Sequence, residues 1–194
     1  MINNIERLKS EILRRRIAKE EELVGCCEQD IDAIEKQYGK LPLAYKQIMR
    51  LWGGGVEKGL SVYEDNFRLT RAVSLTRWME EFIFLRDEDN RAVTSELKNV
   101  FFISGRYAEY GGGAQFIKTG ENSVDAVVYC IDMALCDDID EWISSIEVAF
   151  DSIWAWIEIV LDEKEEQLLR SGKLIQKVEG ENNKSFWSNL FDKQ

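Results

Sequence analysis

The sequence predicts a single α+β domain in which an antiparallel or mixed sheet packs against helices from both ends of the chain. Three observations predict it. Leu41-Pro42-Leu43-Ala44-Tyr45-Lys46 opens a helix whose apolar residues Leu41, Tyr45, Ile48, Met49 and Trp52 share one face, and Gly53-Gly54-Gly55 closes it. Residues 114–118 and 126–131 read as the two strands of a hairpin around Gly120-Glu121-Asn122. From Phe150 the period turns helical again, with Ile153, Trp154, Ile157, Val160 and Leu161 on one face and Leu168 further along.

Each element follows from its residues. Residues 3–23 form a polar helix with a thin apolar stripe of Ile5, Leu8, Ile12 and Ile17, ended by Gly25. So narrow a stripe suits packing on the domain edge or on a second subunit rather than in the core. Asp30 offers an N-cap for the next helix, which carries Ile31, Ile34 and Tyr38 and stops at Gly39. Pro42, the one proline, sits where its missing N–H is harmless and its fixed φ is already helical. The glycines after Trp52, like Gly111-Gly112-Gly113, read as turns needing positive φ rather than as phosphate loops. Residues 59–63 and 67–69 suggest two short strands, Ser74 caps a helix with Leu75, Trp78, Met79 and Phe82, and residues 87–90 form a polar loop. Residues 100–103 are a buried strand. The tail ends in Phe186, Trp187, Leu190 and Phe191, too apolar to be left solvated without some contact.

Bulk properties exclude several classes. The hydrophobic fraction is 45%, enough for a core and too high for an overall disordered chain. No apolar run approaches the ~20 residues of a membrane span, and residues 1–30 show no secretory pattern, so a soluble cytoplasmic protein with no membrane association is expected. The four cysteines lack C-x-x-C spacing and there is no histidine, which removes a Cys/His zinc site and leaves reduced, mostly buried thiols. The absence of histidine also removes the commonest general base, and no nucleophile–base pair can be named. The chain is therefore expected not to be an enzyme, with no catalytic residue, no cofactor and no metal. The carboxylates Asp137, Asp138, Asp140 and Glu141 lack the EF-hand spacing and read as a solvated acidic surface.

Charge is the sharper signal. Net charge is −11, yet residues 1–20 carry six basic groups against three acidic ones. Between Lys118 and Lys164 there is no Lys or Arg, while twelve carboxylates fall in those 45 residues. Such a field disfavours direct nucleic-acid binding, which needs cations, and attracts a basic protein surface. Asp137, Asp138, Asp140 and Glu141, with Trp142 as an aromatic anchor and Glu121 and Asp125 in support, are the candidate partner-binding residues. Trp52, Trp78 and Trp154 read as core, while Trp142 and Trp156 could serve either the core or an interface.

The order of these features resembles the SMI1/KNR4 superfamily, also called SUKH. Ile31, Ile34, Glu35, Tyr38 and Gly39 match its acidic lead-in helix. Leu41, Pro42, Tyr45, Lys46, Gly53 and Gly54 match its Leu-Pro-x-x-Tyr/Phe-Lys helix and glycine turn. Residues 127–132 match its late strand and residues 149–153 the start of its closing helix; Trp52 and Ala149 depart from the Asn and Ser the family often carries. The resemblance covers roughly residues 25–165, leaving a helical extension over 1–24 and a helical tail over 166–194. It implies a non-enzymatic immunity protein that neutralises a bacterial toxin by stoichiometric binding, the superfamily's toxins frequently being nucleases. The alternative it implies is a regulatory or scaffold protein of the superfamily's eukaryotic branch.

Overall fold

The structure is a computed structural model and describes residues 2–54, 69–86, 97–105, 113–120, 122–132 and 139–172. The strands expected at 59–63 and 67–69 lie outside these residues apart from Leu69, which is helical; the loop at 87–90 and the tail from 173 also lie outside them.

Helix α1 (Ile5–Arg14) starts on Asn4, whose side chain accepts from the Arg7 N–H, and buries Leu8 and Ile12 completely. The expected continuous helix over 3–23 does not form. Arg16 adopts φ 56°, its N–H donates to the Leu13 carbonyl, and the Ile17 N–H donates to the Ile12 carbonyl, each at 3.1 Å. That is the Schellman pattern of helix termination, here with arginine in the left-handed position. The reversal turns Ile17 and Ala18 inward, and the chain continues to a 3₁₀ turn at Glu20–Glu22. The N-terminal helix therefore contributes to the main core instead of resting on its edge.

Helix α2 (Glu28–Tyr38) is capped at Cys27, not Asp30, and ends at Gly39 with φ 92°. Helix α3 (Leu43–Trp52) follows, with Pro42 as its cap residue, and buries Tyr45, Ile48, Met49 and Trp52, with Leu41 just ahead. Gly53 is not left-handed; its φ is −91°. The glycines are needed for space. A Cβ on Gly53 would lie 2.7 Å from Met49 backbone atoms, and one on Gly54 would lie 2.3 Å from the Gly25 carbonyl oxygen. That approach lets the Gly54 N–H donate to the Val24 carbonyl (2.8 Å) and the Cys26 N–H to that of Met49 (2.9 Å).

Helix α4 (Leu69–Arg86) begins five residues before the expected cap at Ser74. Its buried Thr76 accepts from the Phe102 N–H at 3.0 Å, joining the helix to strand β1 (Val100–Gly105). Strands β2 (Ala114–Lys118), β3 (Val128–Ile131) and β4 (Glu147–Phe150) complete a fully antiparallel sheet in the order β1-β2-β3-β4. The expected hairpin is the β2–β3 pair, with Ala114 opposite Ile131. Between β3 and β4 lies a short helix, α5 (Ile139–Ser144), and helix α6 (Ile153–Arg170) closes the described chain.

Strand alternation divides the core in two. Phe101, Ile103, Ile117 and Val128 face one side, where they join residues of α1, α2, α3 and α6. Val100, Phe102, Ala114, Phe116 and Ile131 face the other, against Met79 and Ile83 of α4 and Ile139 and Trp142 of α5. The sheet is the middle layer, and its last strand, β4, is its least covered: Val148 is 54% exposed.

Candidate functional site

The acidic interval is carried by β3, α5, β4 and α6 and by the turns between them. One end of it is pinned to the proline helix. Pro42 offers no donor, and the next two N–H groups, of Leu43 and Ala44, donate to the Ser123 and Val124 carbonyls at 2.9 Å. Gly120, with φ 101°, sends its N–H to the Lys40 carbonyl at 3.0 Å, and the Thr119 hydroxyl donates to the Tyr38 carbonyl. Asp125 sits at this end, half-buried. One of its carboxylate oxygens accepts from the Ile153 N–H (2.9 Å) and from the Ala126 N–H (2.8 Å). A carboxylate there satisfies an orphan donor and meets the positive end of α6, beside the Ser152 cap that accepts from Ala155.

The other end lies about 10 Å along β3, at ~3.3 Å per residue. Asp132 follows that strand, and the Ser145 hydroxyl oxygen accepts from its N–H at 2.9 Å, holding the end of α5 against the end of β3. Asp132, Asp140, Glu141 and Glu147 are all exposed here. Glu147 pairs with Cys130 across the ladder, and its carboxylate lies 3.7 Å from the Cys130 sulfur. Burial, then the Glu147 charge, pushes the Cys130 thiol up from its ordinary value.

The structure thus separates what the sequence groups. Asp140 and Glu141 occupy the exposed first turn of α5, whereas Asp125 belongs to the opposite end of the sheet. Glu121, Asp137 and Asp138 lie outside the described residues. Trp142 is corrected outright. It is 1% exposed and belongs to the second core with Phe102 and Phe116, because the short α5 must turn its apolar side to the sheet. Trp156 is likewise core, its indole N–H donating to the Gln115 side chain at 2.9 Å; Trp154, expected to be buried, is only half covered. The three described cysteines are free thiols as expected, yet Cys27 is exposed and Cys26 and Cys130 are half-buried. Among the described residues no cluster of three or more His, Cys, Asp or Glu could hold a metal ion, and no helix is long and apolar enough to cross a membrane.

Two features escaped sequence reading. The interval without Lys or Arg is not free of cations in space, since Arg15, the residue that caps the end of α1, lies against α6. Its side chain, 13% exposed, pairs with Asp162, with Glu165 (3.5 Å) and with Glu11 (3.1 Å). The other feature is Glu35, whose side chain is only 5% exposed. It accepts from Lys40 (2.7 Å), Lys46 (2.8 Å) and the Leu41 N–H (3.0 Å). Burial opposes its charge, but the two lysines and the backbone donor outweigh that and hold it down to about 2. The lysine of the proline helix is thereby a structural anchor, whereas Asp132, Asp140, Glu141 and Glu147 are exposed.

These elements define an α+β protein whose candidate site is a charged surface at a sheet edge. The model of the SMI1 / KNR4 family (SUKH-1) matches residues 25–159, and the chain belongs to that family. No curated protein and no solved structure matches it.

Proposed function

We propose that this chain is a cytoplasmic, non-enzymatic immunity protein that neutralises a toxin by occluding a basic surface on it. The observation that carries the reading is the 45-residue interval with twelve carboxylates and no Lys or Arg. Of these, Asp132, Asp140, Glu141, Glu147 and Asp151 are exposed around β4 and α5. Family membership supports a protein-binding role. A site that receives nucleic-acid phosphate is positively charged, so a field of carboxylates can take the place of the substrate and steer the encounter. Asp137, Asp138, Asp140 and Glu141 supply that field, with Glu121 and Asp125 in support.

The test is the association rate with the product of the neighbouring gene. Reversing Asp137, Asp138 and Asp140 to Lys is expected to slow association on the order of tenfold or more at low salt, and less at high salt. Unchanged rates at low salt would take those residues out of the interface. A neighbouring gene for a metabolic enzyme, with no toxin, would count against the whole reading.

A further inference from the structure

We infer that β4 is a docking edge that takes an extended segment of a partner protein as a fifth strand, with an apolar residue flanked by cations. The inference rests on the acidic-surface reading and adds the form of the partner. Among the described residues β4 ends the sheet, so one side of its backbone has no neighbouring strand. Edges of this kind are blunted by Lys or other charges, Pro, a bulge, a very short strand or a covering element, and β4 has the short length, the bulge and Glu147. Here the sequence is Glu147-Val148-Ala149-Phe150, with neither Lys nor Pro, and Val148 is 54% exposed.

Charge selects the occupant. Glu147 opens β4 beside the exposed Asp132, Asp140 and Glu141, and exposed Asp151 follows Phe150. The two acidic groups that β3 separates are thus joined by β4, with Glu147 and Asp151 about 13 Å apart at ~3.3 Å per residue. A strand laid along that edge meets carboxylates first, an exposed valine in the middle and the Asp151 carboxylate at the far end. A second copy of this chain, also acidic, would bring like charges together, whereas a segment reading cation–apolar–cation matches at every position. The register irregularity between β3 and β4 leaves Ala149 without a partner on β3 and bends the strand there, so a docked segment has to follow a twisted edge.

The probe is the synthetic peptide Lys-Lys-Val-Thr-Val-Lys-Lys, added to the full chain at low salt. The control is the same peptide with alternate backbone nitrogens methylated, which keeps every charge and removes strand donors along one edge. The expected result is slowed amide hydrogen exchange in residues 147–150 with the first peptide, at least tenfold weaker binding of the second, and weakened binding by Val148→Lys. Equal, salt-sensitive binding of both peptides would overturn the fifth strand while leaving the acidic surface standing. If neither peptide binds at low salt, both readings fall.

Discussion

Replacing Glu35 by Gln should reveal how much of the stability is held in one buried carboxylate. The native group is drawn from the ordinary 4.5 down to about 2, because two lysines and the Leu41 N–H outweigh its burial. At about 1.4 kcal/mol per pH unit this corresponds to roughly 3 kcal/mol, a sizeable share of the ~5–15 kcal/mol that holds a domain folded. A carboxylate with a lowered folded-state value contributes fully above pH 4.5 and loses that contribution as pH falls towards 2. Urea unfolding of the native chain and Glu35→Gln at intervals from pH 7 to pH 2.5 measures it. The amide keeps the shape but lacks the charge and leaves Lys46, 18% exposed, without its carboxylate. A difference of about 2–3 kcal/mol is expected at pH 7, shrinking steadily below pH 4.5. Taking the difference matters because Glu11, held at about 2 chiefly by Arg14, titrates over the same range in both proteins. A gap that stays constant down to pH 2.5 would refute the ion-pair origin of the effect.

Two further substitutions test the packing. Gly54→Ala puts a methyl 2.3 Å from the Gly25 carbonyl oxygen, and a cost of about 1–3 kcal/mol in thermal or urea unfolding is expected; a neutral outcome would mean the two backbones do not meet. Trp142→Ala should cost about 3–5 kcal/mol, as removal of a core aromatic does, with partner affinity unchanged once the protein is kept below its unfolding range. Native stability with lost affinity would restore Trp142 to the interface.

Legibility in the sequence follows the range of the interactions. Helix α3 was readable because its start, its apolar period and its glycine stop are all local. The β2–β3 pair was readable because alternation and a turn lie within eighteen residues. Helix α5 and strand β4 were not, since six and four residues carry too little period to separate from the flanking loop and helix. The same shortness misassigned Trp142, whose neighbours Asp140 and Glu141 suggested solvent while its own ring turned inward. The break after α1 was also hidden, because arginine is an unusual residue for the left-handed position that glycine prefers.

Composition and local period were thus enough to determine an acidic α+β chain, its proline helix, its central hairpin and its closing helix. Tertiary structure alone decided which charges are spent within the molecule and which remain outside. Lys46 and Glu35 lie eleven residues apart and lock α2 to α3, and Arg15 crosses 147 residues to reach Asp162. Asp125 is consumed as a helix cap, whereas Asp140 and Glu141 stay on the surface. Sequence reports a charge with its neighbours along the chain; its energy depends on burial and on partners that only folding brings within a few ångströms.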